Sequence, residues 1–345
     1  MRCPMLTDLP PAPPGRTGWP WTEQSAPLPA ALPDGSAWPR ISIVTPSYNQ
    51  GQYLEEAVRS VLLQGYPDLE YIVIDGGSTD GSAAIIEKYA PWLAYWVSEP
   101  DRGQSHAINK GFERCTGEII TFLSSDDLYL AGAFGHAAAL WAQHRDCGAV
   151  VGSFYYMDEH SLLADMPHLA HIPHAGPIDL SLGYPYRLHQ VSTFYSRAAL
   201  DAVGRRVRED LRYTMDRELL YRVCRRYGVV TTARAYGAFR QHAASKSSAD
   251  ILPFSREFAR LHLLFLSGDA ADDRKRRRAA RLHRAKGYLK YARHSGKPLA
   301  AIGALLAVPA YAPRCLFQTG YISTWLDVLY LKPAVKRLLR AMGRQ

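Results

Sequence analysis

Four apolar runs, each closed by polar or acidic residues, constrain this chain more than any other feature. "ISIVTPSYN" starts at Ile41 and runs into Tyr48-Asn49. "EYIVIDGGS" ends at Asp75, "LAYWVSEPD" at Glu99–Asp101, and "EIITFLSSDD" at Asp126 and Asp127. Between them lie three segments of helical pattern. "YLEEAVRSVLLQG" puts Leu54, Ala57, Val58, Val61 and Leu62 on one face, and "SAAIIEKYA" and "SHAINKGFERC" follow the later runs. Strands alternating with helices predict an α/β fold: a mostly parallel, Rossmann-like sheet with helices on both faces. Continuous apolar strands fit such a sheet, because helices cover both of its faces. In open α/β sheets ligands bind beyond the carboxyl ends of the strands, so four polar strand ends face one crevice.

Two adjacent carboxylates at a strand end repel each other and prefer water. One reading makes Ser-Ser-Asp-Asp the cap of a helix starting near Leu128. The other makes Asp126 and Asp127 ligands of a hard divalent cation, Mg²⁺ or Mn²⁺, which takes oxygen ligands and bridges to substrate phosphates. The three other acidic strand ends favour the cation.

Several machines are excluded. There is no GxGxxG after the first strand and no GxxxxGK[ST], and "TPSYNQGQYLEE" stands where a nucleotidyltransferase needs a glycine-rich basic loop. The net charge of +9 favours acidic partners: nucleotides, phosphorylated carriers or an anionic membrane. No nucleic-acid motif is present, so no nucleic acid is expected. Five scattered cysteines without CxxC spacing predict a reducing compartment. No signal peptide is read at the N-terminus, and no uncharged apolar run reaches the roughly 20 residues that span a bilayer. The expected location is the cytoplasm, with the inner face of the cell membrane as a docking surface.

The chain divides by composition. Residues 1–40 are Pro-rich with Trp19, Trp21 and Trp38, an extended or disordered lead-in. Residues 41–254 carry the alternating pattern, 41–130 as a nucleotide-binding half and 131–254 as an acceptor half. Residues 255–345 form a basic helical tail, with "DDRKRRRAARLHRAKGYLKYARH" followed by two apolar segments. The tail reads either as helices packed on the domain or as interfacial membrane helices with Trp325, Leu326 and Tyr330 at the acyl boundary.

Three stretches, "ISIVTPSYNQGQYLEEAVRSVLLQGYPDLEYIVIDGGSTDGS", "SEPDRGQSHAINKGF" and "FLSSDDLY", resemble the family 2 glycosyltransferases of GT-A fold. The resemblance is close over about 41–130. It continues more weakly to about 248 through "HQVSTFYSRAAL", "LRYTMDRELLYRV" and "HAASKS". It implies a metal-dependent inverting transferase, of hexosyltransferase type. Such an enzyme moves a sugar from a nucleoside diphosphate, UDP favoured, to a hydroxyl of a glycan or lipid-linked acceptor, as in cell-envelope polysaccharide synthesis. The resemblance places Pro46, Tyr48, Asn49 and Asp75 at the donor's base and ribose, and Asp101 and Gly103 around the nucleotide pocket. Arg102 or Lys110 would be available to phosphate, and Lys246, with Ser245, would lie in a loop closing over the donor. Asp126, Asp127 and His242 would hold the metal, Asp126 also touching the donor. Asp216 would be the general base, with Gln190 and Glu218 on the acceptor side. His168, His171 and His174 are read as an acceptor-side loop or a second metal site. Gly76, Ser124 and Met215 each stand where the family often has an acidic residue. That leaves a non-catalytic nucleotide-sugar-binding relative as the alternative.

Overall fold

Strand β1 (Ile41–Ser47) is buried along its whole length, because β2 (Leu69–Asp75) and β4 (Ile119–Phe122) flank it in parallel. β3 (Tyr95–Ser98) extends the sheet beyond β2. Three crossover helices join these strands: α1 (Gly51–Leu62), α2 (Ser82–Tyr89) and α3 (Gln104–Arg114). The register pairs Ser47 with Asp75 and Asp75 with Ser98, so the polar strand ends lie level along one edge. The computed structural model describes residues 1–169, 188–243, 245–246, 251–294 and 298–312.

The second half of the sheet adds β5 (Leu128–Tyr129), β6 (Ala149–Met157), β7 (Thr193–Ser196) and β8 (Val229–Arg240), with α4 (Ala133–Gln143), α5 (Arg197–Ala202) and α6 (Met215–Tyr227). The order is β3-β2-β1-β4-β7-β6-β8-β5. β7 runs antiparallel to both β4 and β6, while β6 and β8 are parallel. Two reversals therefore return β8 to the direction of β4. Its carboxyl end, Arg240, reaches the same edge as Asp126 and Asp127.

The sequence allowed a helix starting near Leu128. The structure instead pairs Leu128 and Tyr129 with Ala238 and Gly237 of β8, and the next helix begins at Ala133. Tyr129 is fully buried against Phe134 and Phe194, and this packing holds the segment extended. The two aspartates therefore sit in a turn, closed by the Asp127 amide donating to Ser124 O at 3.0 Å, and cap no helix.

The Pro-rich lead-in, with a 3-10 turn at Leu6–Asp8, packs within the first unit. Trp21 and Leu9 are buried, and the Trp19 indole donates to Tyr129 O at 2.8 Å. Its anchor is Arg59 of α1, which is 1% exposed. The Arg59 guanidinium donates to the carbonyls of Pro10, Pro20 and Trp21 and to the Tyr89 hydroxyl. Arg59→Met strips those buried acceptors of their donor at once. It is expected to lower the unfolding free energy by about 3 kcal/mol and open the lead-in to protease. Urea unfolding with limited proteolysis checks this, and a loss under about 1 kcal/mol with unchanged cleavage contradicts it.

Among the described residues, the first compact unit ends at His242 and the second begins at Ala243. The second contains helices Ile251–Leu264, Ala270–His294 and Pro298–Tyr311. A side chain at Gly287 would meet Ser255 Oγ at 1.9 Å, so the glycine lets the first two helices approach closely. Trp325, Leu326 and Tyr330 lie outside the described residues.

Candidate active site

The turn after β4 meets the end of β8. The Arg240 amide donates to Asp127 Oδ1 at 2.9 Å, and its Nε donates to the Asp126 carbonyl at 2.7 Å. Arg240 is fully buried. Its Nη2 reaches Glu56 Oε2 of α1 at 2.8 Å, and its guanidinium lies 4.5 Å from the Tyr53 ring centre. Two residues on, His242 Nε2 stands 3.1 Å from Asp126 Oδ2, with its ring 5.0 Å from Tyr53. Asp127 points inward at 2% exposure, while Asp126 keeps its side chain 21% exposed. Burial, reinforced by the neighbouring Asp126 carboxylate, pushes the Asp127 carboxyl well above its usual range.

Glu56, Arg240 and Tyr53 were missed in the sequence. Glu56 reads as a solvated residue of an amphipathic helix. Arg240 closes a strand of small and aromatic residues, and its charge at a strand end two residues before His242 was the one available signal.

The donor-side residues gather around Gly76. A Cβ there would lie 2.8 Å from Asp101 Oδ2 and 3.2 Å from Tyr48 Cδ2, so the Asp101 carboxylate fills the space a larger residue would need. Tyr48 is 62% exposed, an aromatic ring left in water at the strand-end edge. Pro46 is buried within β1. Asp75 accepts from Ser78 N, Gly77 N and the hydroxyls of Ser78 and Ser98, which folds the loop after β2. Asn49, at φ +52°, accepts from Thr79 N and donates its own amide to Ser78 Oγ, tying the first loop to the second. Gly103, at φ +110°, starts α3 and donates to Asp101 Oδ1 at 2.6 Å. Arg102 and Lys110, read as available to phosphate, are paired with Glu209 and Glu99. Ser124 accepts the Gln104 amide, joining the α3 terminus to the aspartate turn.

On the other flank, Asn109 holds Val207 and Ser105 holds the Leu211 carbonyl, so residues 207–211 climb α3 towards its N-terminus at the strand-end edge. α6 begins just beyond, with Asp216 half-buried in its first turn. Burial, then the Asp216 carboxylate, raises the Tyr195 hydroxyl well above its usual range. Glu218, read in the sequence as acceptor-side or solvated, is buried, and both its oxygens accept from Arg222. Gln190 is buried too and donates to the carbonyl of Phe122 at the end of β4. His189 lies between Phe154 and Phe239, and burial pushes it down to about 3, so it stays neutral. His168 stacks on Phe154, while His171 and His174 lie outside the described residues. Lys246 belongs to the second unit.

Among the described residues, no group of three or more His, Cys, Asp or Glu side chains is placed to hold a metal ion by itself. The donor set suits a shared ion. Neighbouring ligands of an octahedral cation bonded at about 2.1 Å stand about 3 Å apart. Asp126 Oδ2 and His242 Nε2 are hydrogen-bonded to each other at 3.1 Å, a distance that also fits neighbouring ligands of such an ion. An ion of this kind completes its shell with water and substrate phosphate.

Residues 42–204 match the family model described as Glycosyl transferase family 2. The chain thus carries a family 2 glycosyltransferase domain, of GT-A fold. Over 122 residues it is 34% identical to glycosyltransferase GlyG of Streptococcus pneumoniae, covering 34% of this chain and 40% of GlyG. Over 92 residues it is 41% identical to the uncharacterized glycosyltransferase Rv1514c of Mycobacterium tuberculosis, covering 26% of this chain and 35% of the other. The chain therefore spans well under half the length of these curated relatives. S. aureus TarS in complex with UDP-GlcNAc superposes at TM-score 0.55 and 18% identity, over 79% of this chain and 82% of that one. The mannosyltransferase PcManGT of Pyrobaculum calidifontis, in complex with GDP-Man and Mn²⁺, superposes at 0.53 and 20%, over 94% and 90%. At these identities the two structures establish the fold alone.

Proposed function

We propose that this chain is a metal-dependent inverting glycosyltransferase, moving a sugar from a nucleoside-diphosphate donor, UDP favoured, to a hydroxyl of a glycan or lipid-linked acceptor. The observation carrying this reading is the 3.1 Å approach of His242 to Asp126, beside Asp127, where the polar strand ends converge. The donor classes bound by TarS and PcManGT, UDP-GlcNAc and GDP-Man, support a nucleotide sugar.

Each residue has a task in this reading. The exposed Tyr48 ring stacks on the base and Asp101 accepts a hydrogen bond from base or ribose, while Asp75, buried and already accepting four hydrogen bonds, holds the loop after β2 in shape. Asp126 and His242, with Asp127 beside them, would hold a divalent ion, which would neutralise charge on the departing diphosphate. Arg240 and Glu56 keep that turn in place. Asp216 takes the proton of the acceptor hydroxyl as its oxygen attacks the anomeric carbon in line and the bond to the diphosphate breaks.

Turnover with a panel of nucleotide sugars, with and without Mn²⁺, tests the reading. Donor binding without any transfer or hydrolysis by the wild type would favour a non-catalytic relative. Asp216→Asn is expected to keep donor affinity and lose about 10²-fold in rate. If donor binding collapses while the saturated rate survives, Asp216 is not the base.

A further inference from the structure

The helix Ala270–His294 carries one stripe with two characters. Positions 274, 278, 281, 285, 288 and 292 follow the alternating three- and four-residue spacing of a single helix face. In the first half the stripe reads Arg274, Arg278 and Arg281, all exposed, with exposed Arg277 beside them and exposed Leu282 next to Arg281. In the second half it reads Ala285, Tyr288 and Ala292. These pack under Ala301, Ala304, Leu305 and Val308 of the helix Pro298–Tyr311. The arginines and that last helix therefore lie end to end on one side of the long helix. They meet where Arg284 stands 5.5 Å from the Tyr311 ring centre and Tyr311 stacks on Tyr288.

That helix, "PLAAIGALLAVPAY", the last among the described residues, contains no charged residue. Its solvent side runs Ala300, Gly303, Leu306 and Ala310, with Leu306 66% exposed. No helix among the described residues is long and apolar enough to cross a membrane. A cationic cluster continuous with an exposed uncharged face matches the boundary of an anionic bilayer, where arginines meet headgroup phosphates and the apolar side enters the acyl margin. A nucleic acid would use the arginines and leave the apolar face in water.

We propose that this surface docks the chain in the plane of an anionic phospholipid membrane. The occupant is the lipid surface itself, and the inference does not depend on the donor chemistry. The test mixes the full chain with phosphatidylcholine vesicles, with and without phosphatidylglycerol, at low salt, and reads the fraction that sediments. The wild type is expected to pellet only with the anionic vesicles. Arg274→Gln/Arg278→Gln/Arg281→Gln should lower the partition coefficient by about 100-fold, at about 1 kcal/mol per cation. Leu306→Ser should also weaken it. Both variants change exposed residues, and unchanged circular dichroism confirms their fold. Three results overturn the proposal: wild type left in the supernatant, a triple variant that pellets like wild type, and Leu306→Ser that partitions unchanged. The last, combined with tight binding of an oligonucleotide, assigns the arginines to nucleic acid. A concentration-dependent dimer lost in Leu306→Ser, without vesicle binding, assigns the face to a second copy. Turnover on a soluble acceptor is read separately, so loss of docking and loss of catalysis are told apart.

Discussion

Replacing Asp126 or Asp127 by alanine is expected to cost at least about 10³-fold in turnover at saturating Mn²⁺, the scale of several kcal/mol of lost charge stabilisation. The two losses have different origins. Asp126 is the accessible carboxylate and stands 3.1 Å from His242, so in the proposed reading its removal takes away a direct ligand of the ion. Asp127 is inward, with Oδ1 holding the Arg240 amide, so its removal also loosens the turn that aims Asp126. Mn²⁺ titration by calorimetry, run beside the rate assay, should show weakened binding in both variants. Asp127→Ala turning over within about tenfold of wild type would remove it from the ion site.

Arg240→Met is expected to be the most damaging stability change in the first unit, at about 3–5 kcal/mol, the range for a buried ion pair deprived of one partner. The guanidinium is fully buried, and its loss strands the Glu56 carboxylate at 5% exposure. The Asp126, Asp158 and Ser161 acceptors lose their donor in the same step. The double variant Glu56→Leu/Arg240→Met should recover part of the cost, since no uncompensated charge then remains. Chemical denaturation of the four proteins gives the coupling. A cost below about 1 kcal/mol for Arg240→Met would mean that solvent reaches the pair.

The parallel half of the sheet was legible in the sequence because local pattern carries it. Each strand is a continuous apolar run, each helix has one apolar face, and the polar ends mark the edge. Asp75, Asp101 and Asp126–Asp127 could be read from position alone. The aspartate turn was legible only in part, since a two-residue strand such as Leu128–Tyr129 is fixed by its distant partner β8 and carries too little periodicity of its own. Glu56, Arg240 and the pairing of Glu218 with Arg222 lay beyond reach for a similar reason. Whether a charged side chain is buried depends on what the fold brings to it, and 184 residues separate Glu56 from Arg240. Arg102 and Lys110 looked available to phosphate because their partners, Glu209 and Glu99, emerge only when the loops are placed.

The lead-in also has a consequence for the order in which the protein forms during synthesis. It leaves the ribosome before Arg59 and Tyr129, so each of its holds is made later. Arg59 follows it by tens of residues, and the partner of the Trp19 indole lies 110 residues downstream. Until α1 has emerged, Pro10, Pro20 and Trp21 lack the Arg59 donor, and until β5 has emerged the Trp19 indole lacks its acceptor. The segment waits as exposed apolar chain, the state in which nascent proteins are bound by chaperones or stick to one another. A segment whose partners all lie downstream cannot dock as it emerges. Its yield should depend on how fast the stretch between Trp19 and Tyr129 is delivered.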